Sequence, residues 1–170
     1  MKTLFVLRHA KSSRDNPQLK DFARPLTASG LADTKLIGSR LRESGVEINA
    51  IVSSPAERTR QTADLFAQHL GLPAESVSCS AELYFAGAPM LRQAVSRFDD
   101  SYSVAMLVGH NPAVTDFVNE LGALEIENVP TCGLLKFEVA IQKWQEIGDA
   151  QAKLVDFDYP KREPIESPKP

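Results

Sequence analysis

Two histidines and two arginines stand where apolar runs end. Leu4-Phe5-Val6-Leu7 leads straight into Arg8-His9. Val104-Ala105-Met106-Leu107-Val108 leads through Gly109 into His110. A third run, Ala50-Ile51-Val52, passes through Ser53-Ser54-Pro55 to Arg58 and Arg60. Runs of this length and composition read as short buried strands. The chain has three histidines in all, and two of them share this placement. Guanidinium groups grip oxyanions through paired N–H donors. An imidazole with an unprotonated nitrogen is a nucleophile. Arg8 and His9 thus supply an anion clamp and a potential nucleophile side by side. Two arginines and two histidines gathered at strand ends make a phosphate site.

Such residues meet only if the strands bearing them lie side by side. The pattern along the chain provides for that. A first strand runs to about Leu7, and a polar loop spans Lys11 to Pro17. A helix runs from about Thr27 to Ser44, with Leu31, Ile37, Gly38 and Leu41 on one arc. A second strand covers Ala50 to Ser53, and its helix runs to about Leu70. There Ser54 suits the N-cap, Pro55 the first helical position, and Glu57 closes a capping box. A short strand is expected near Val77 to Cys79. Leu91, Ala94, Val95 and Phe98 have amphipathic helical spacing, as do Val114, Phe117, Val118 and Leu121. A strand covers Val104 to Val108, with Asn111 capping the next helix and Pro112 opening it. Leu134 to Ile141 and Ala152 to Phe157 read as late strands, paired as a hairpin. This alternation predicts an α/β fold, a three-layer αβα sandwich around a mostly parallel sheet. Ligands in such folds bind at the carboxyl ends of the strands.

Composition agrees with a compact enzyme. The chain has 170 residues, 43% hydrophobic and 24% charged, with a net charge of −3. One domain is expected over residues 1–158. Residues 159–170 hold four prolines and read as an extended or disordered tail. The acidic balance argues against nucleic acid as a partner. The apolar start at Met1 to Leu7 is too short for a signal peptide, and no stretch is long enough to span a bilayer. A cytoplasmic location is the expectation. Cys79 and Cys132 imply no disulfide framework and read as small buried hydrophobes.

The motifs Leu7-Arg8-His9-Ala10, Ser53-Ser54-Pro55-Ala56-Glu57-Arg58-Thr59-Arg60-Gln61-Thr62-Ala63 and Val108-Gly109-His110-Asn111-Pro112 resemble those of the histidine phosphatase superfamily, which includes the phosphoglycerate mutases. Their order and spacing carry the likeness, over roughly residues 3 to 140. The usual Arg-His-Gly opening here has Ala10 in place of glycine, as in the short SixA-type phosphohistidine phosphatases. Arg24-Pro25-Leu26-Thr27 also fits that branch. The resemblance implies a phosphoglycerate mutase-like fold, His9 as nucleophile, and Arg8, Arg58 and His110 as the phosphate pocket. It implies a phosphoryl group carried on His9 and then cleaved by water, with no cofactor.

Other residues read less sharply. Arg24 reaches the phosphate or sits as a surface cation at the start of its helix. Lys11, Ser12 and Ser13 line the pocket mouth or form a plain polar loop; Ser12 is kept as a substrate-binding candidate. Glu82 lies where many relatives carry their proton donor and is the candidate acid. Arg60 reads as solvated or salt-bridged, and His69 as a companion of its helix's C-terminal dipole. Trp144, Tyr84 and Phe85 read as packing. A metal held by His9 and His110 is disfavoured, because no third histidine or clustered cysteine joins them and Arg8 and Arg58 repel a cation. About fifty residues separate His9 from Arg58, and about as many separate Arg58 from His110, leaving little chain for a lid. An open pocket suits phosphohistidine on a partner protein, a phosphotransfer domain or carrier. The alternatives are a small-molecule phosphomonoesterase acting on a phosphorylated metabolite and a non-catalytic phosphohistidine-binding module.

Overall fold

The structure, a computed structural model, describes residues 1–163. The Pro-rich tail expected from 159 onward thus falls mostly outside the described residues. A six-stranded sheet has the order β3-β2-β4-β1-β5-β6. Its strands are β1 (Lys2–Arg8), β2 (Ala50–Ser53), β3 (Val77–Cys79), β4 (Val104–Gly109), β5 (Leu134–Val139) and β6 (Ala152–Asp158). β3, β2, β4 and β1 run parallel, while β5 pairs antiparallel with both β1 and β6. The helices are α1 (Ala28–Glu43), α2 (Glu57–Leu70), α3 (Ala88–Ser96) and α4 (Ala113–Gly122).

The alternation within β1 builds the three layers. Side chains of successive strand residues point to opposite faces. Phe5 and Leu7 pack with Ile37 and Leu41 of α1 and Ala63, Phe66 and Ala67 of α2. Leu4 and Val6 pack with Leu91 and Val95 of α3 and Val114, Phe117 and Val118 of α4. Both faces of β1 are sealed, which is why its sequence is a continuous apolar run.

Register places the strand ends together. Arg8 pairs with Gly109, and Ser53 pairs with Val108. The chain therefore leaves β1, β2 and β4 at one level, each on a polar segment. This is the rim that carries Arg8, His9, Ser54 and His110.

Several local expectations shift. Leu31 does not join the buried arc of α1; it is exposed, and Thr34 is buried in that row instead. Helix α2 starts at Glu57 with Ala56 at the N-cap and no side-chain cap. Ser54 falls outside the helix, its hydroxyl 2.7 Å from His110 Nε2 and accepting from Ala56 N at 3.4 Å. Pro112 is the N-cap of α4 and not its first residue, while Asn111 still caps through Oδ1, which accepts from Thr115 N at 3.1 Å. Cys79 is exposed on the edge strand; Cys132 alone is the buried hydrophobe. Trp144 packs fully buried as expected, but Phe85 is exposed and Tyr84 only partly covered.

Candidate active site

His9 follows the last residue of β1 and is 7% exposed. Its own backbone N–H donates to Gly109 O at 3.2 Å, and its carbonyl accepts from Cys132 N at 3.0 Å. The ring is therefore mounted on fixed backbone on both sides. Nδ1 lies 2.7 Å from Ala10 O. A carbonyl only accepts, so Nδ1 carries the proton and Nε2 keeps its lone pair. Burial pulls the His9 pKa down to about 3, with His110, Arg58 and Arg8 pushing the same way. The ring is neutral at any physiological pH. Ala10 is fully buried, and its N–H donates to Thr62 Oγ1 at 3.1 Å, which keeps the accepting carbonyl in place.

Arg8 and Arg58 reach the same space from different elements. Arg8 Nη1 donates to Val129 O at 2.9 Å. Burial, and then Arg58, lowers the pKa of Arg8. Arg58 lies in the first turn of α2 and is 6% exposed. Its Nη1 donates to Asp21 O at 2.8 Å, and its Nη2 donates to Asp21 Oδ2 at 3.1 Å. His110 follows β4, and its ring centroid lies 5.4 Å from that of His9. Burial, then Arg58, holds its pKa down at about 4. Among the described residues, four buried side-chain nitrogens lack a hydrogen-bond partner, and three belong to Arg8, Arg58 and His110. Unpaired buried polar atoms are costly and are tolerated mainly where function uses them.

These side chains line one cleft of about 650 Å³ together with Lys11, Ser12, Ser13, Arg14, Asp21, Arg24, Thr27, Asn111 and Thr131. Ser12 and Arg24 are thus brought to the cleft. Lys11 to Ser13 is pinned along the segment before α1: Ser13 N donates to Pro25 O at 2.8 Å and Thr27 N to Lys11 O at 2.9 Å. Gly30 permits that contact, since a Cβ there would stand 2.3 Å from Lys11 O. Glu82 is not brought to the cleft. It sits on a 3-10 turn, Ala81–Leu83, with its carboxylate 3.0 Å from Arg97 in a separate groove. Arg60 pairs with Glu57, and the His69 ring packs against Gly38. Among the described residues no cluster of three or more His, Cys, Asp or Glu side chains could hold a metal ion. No helix among them is long and apolar enough to cross a membrane.

Asp21 is the member that sequence reasoning missed. It lies on a 3-10 turn, Asp21–Ala23, and receives Tyr84 Oη–H at 2.6 Å, Arg24 Nε at 3.1 Å and Arg58 Nη2 at 3.1 Å. The Tyr84 hydroxyl, and then Arg58, lowers its pKa to about 2. Its spacing three residues before Arg24 was the available signal.

The family model described as histidine phosphatase superfamily (branch 1) matches residues 4–105, a segment that carries Arg8, His9 and Arg58 and stops short of His110. The chain belongs to the histidine phosphatase superfamily. Within it, the Escherichia coli phosphohistidine phosphatase SixA is 31% identical over 120 residues, covering 69% of this chain and 73% of SixA. An uncharacterized Mycobacterium tuberculosis protein is 28% identical over 165 residues, covering 91% of this chain and all of that one. A crystal structure from Agrobacterium tumefaciens that carries the SixA name superposes with a TM-score of 0.78. It is 25% identical and covers 94% of this chain and 98% of its own. The six-stranded sheet and its four helices are thus the histidine phosphatase fold in its short form.

Proposed function

We propose that this protein is a histidine-nucleophile phosphatase whose substrate is phosphohistidine on a partner protein. The observation that carries the reading is the pairing of opposites around His9. A neutral imidazole, its Nδ1–H committed to Ala10, shares its cleft with a buried and a half-buried guanidinium, Arg58 and Arg8, that repel each other. Such a pair is stabilised by an anion between them.

The steps follow from these groups. The phosphoryl oxygens are taken by Arg8, Arg58 and His110. His9 Nε2 attacks phosphorus, and the bond from phosphorus to the leaving nitrogen breaks with its electron pair on that nitrogen. The departing imidazole takes a proton from solvent, which its ordinary pKa near 6.5 allows. Water then attacks phosphorus, the P–Nε2 bond breaks, and inorganic phosphate and neutral His9 are restored. Charge on the transferring group is met by preplaced donors, the arrangement that lowers phosphoryl-transfer barriers most. His110 can serve without being protonated. If Ser54 donates to Nε2, the neutral ring still carries a hydrogen on Nδ1.

The likeness to SixA supports a protein-borne phosphohistidine. So does the position of Glu82, the expected acid, which lies outside the cleft and faces Arg97. Asp21, with a pKa near 2, holds no proton to give at neutral pH. A soluble protein acting in the cytoplasm on signalling or carrier proteins fits this chemistry. The test is a brief incubation with a phosphohistidine protein followed by mapping of the label. An acid-labile, alkali-stable phosphoryl group on His9, absent in His9→Ala along with turnover, is the expected result. Turnover retained in His9→Ala overturns the assignment.

A further inference from the structure

Phe85 breaks two rules at once. It is an aromatic residue that is 85% exposed, and its backbone has φ of 58°. The left-handed region is unfavourable for a residue with a Cβ and is a rarity for a bulky one. Strain of this kind persists where surrounding structure holds it and clusters at ligand sites. Here the ring does not enter the core. It lies against Tyr84, with ring centroids 4.2 Å apart. Tyr84 in turn meets Phe22 at 5.1 Å and His110 at 5.7 Å. The Tyr84 ring is fixed by its hydroxyl, which donates to Asp21. Three aromatic rings therefore form a wall that begins at His110 and ends in solvent.

Behind that wall is a second cleft of about 310 Å³, lined by Asp21, Arg58, Tyr84, Phe85, Ala86, His110, Asn111 and Pro112. It shares Asp21, Arg58, His110 and Asn111 with the anion cleft, but neither Arg8 nor His9 lines it. Displacement at phosphorus needs the entering and leaving atoms on opposite sides. Arg58 and His110 line both clefts while His9 lines only the first, so an anion held by Arg58 and His110 borders the nucleophile's cleft and the aromatic cleft alike.

We infer that the cleft beside Tyr84 and Phe85 is the leaving-group subsite, and that it favours a flat ring over a linear chain. The inference rests on the phosphatase reading and extends it to specificity. A planar leaving group stacks on the outer, uncovered ring faces. A linear amine or alcohol meets the polar groups of the cleft but gains no stacking on those faces. The class selected is a phosphorylated ring nitrogen or ring oxygen. An imidazole on a protein and a small aryl phosphate share that chemistry.

The test compares two phosphoramidates that differ in shape. Peptides of one sequence carrying phosphohistidine or phospholysine are assayed for kcat/KM with wild type, Phe85→Ala and Phe85→Trp. Intrinsic reactivity cancels in the ratio of ratios. Phe85→Ala lowers the phosphohistidine-to-phospholysine ratio about three- to tenfold, as expected for loss of one stacked ring, and Phe85→Trp keeps it. A second arm compares phenyl phosphate with methyl phosphate and shows the same direction of change. A ratio unchanged within twofold in Phe85→Ala overturns the subsite, as does an equal fall for both peptides. A change confined to the peptides and missing from the aryl arm also overturns it. Absence of turnover and of His9 labelling in wild type would instead overturn the phosphatase reading.

Discussion

Arg58 already holds an anion of the chain's own: its Nη2 stands 3.1 Å from Asp21 Oδ2, and its Nη1 binds the same residue's carbonyl. Asp21 is half-exposed and Arg58 is buried, so the carboxylate reaches in to the guanidinium. It orients Arg58 and at the same time repels any second anion brought beside it. With a pKa near 2 it exerts that repulsion at every working pH. Asp21→Asn keeps an oxygen acceptor for Arg58 and removes the charge. Vanadate then inhibits the variant about fivefold more tightly than wild type, the size expected of one charge pair near the surface. Weaker inhibition in an inhibitor titration would show that orientation of Arg58 outweighs repulsion.

Arg58 itself is the sharper target. Its guanidinium serves an anion through a fixed fork that an ammonium does not reproduce. Arg58→Lys loses about 10²–10³-fold in kcat/KM on a phosphohistidine protein, the usual cost of one transition-state donor. Recovery to within tenfold of wild type would reduce Arg58 to a general positive charge.

Acid should loosen the fold through the two histidines. His9 and His110 have folded pKa values near 3 and 4, below the unfolded value near 6.5. Between these limits the unfolded chain binds protons that the folded one refuses, so stability falls as pH drops from about 6.5 toward 4. His9→Gln flattens that dependence by up to one proton, about 1.4 kcal/mol per pH unit. Denaturant titrations at several pH values read the slope directly. An identical slope in wild type and His9→Gln would mean that His9 titrates normally in the fold.

Glu82 offers a negative control. Its carboxylate is turned to Arg97, in a groove that His9 does not line. Glu82→Gln leaves kcat/KM for phosphohistidine within about twofold of wild type. A larger loss, of the 10²–10⁴-fold size general acids supply, would place it in the reaction after a movement of its turn.

The strained position beside the cleft makes a stability prediction as well. Glycine tolerates positive φ and alanine does not. Phe85→Gly is therefore more stable than Phe85→Ala by about 1 kcal/mol in chemical denaturation. Equal stability would mean that the left-handed backbone is not retained in solution.

Much of this was legible because it depends on patterns that packing enforces. Continuous apolar runs had to be strands covered on both faces, and the residues at their ends had to share a rim. That reasoning reached Arg8, His9, Arg58 and His110, which the structure gathers in one cleft. It failed where an interaction between distant segments overrode a local rule. Ser54 has the composition of an N-cap, but His110, more than fifty positions later, engages its hydroxyl. Tyr84 and Phe85 look like core residues because aromatic side chains usually are; only tertiary placement shows that one is spent on Asp21 and the other left in solvent. Asp21 was missed for a related reason, its spacing to Arg24 being the one local signal. A carboxylate in a polar loop has no periodicity, and two of its three partners, Arg58 and Tyr84, come from distant segments.

Gly30 carries a consequence for anyone surveying variants of this protein. It belongs to α1, has no side chain to offer the cleft and lies twenty-one positions after His9, yet even alanine there would collide with the Lys11 carbonyl. The displaced strip is the one that follows His9 and walls the cleft. In a saturation screen scored by turnover, Gly30 would rank alongside the cleft side chains, and because the atom met is backbone the same substitutions would cost stability as well. A loss on both scores would mark it as scaffold for the Lys11–Ser13 wall, set apart from cleft side chains whose loss spares the fold.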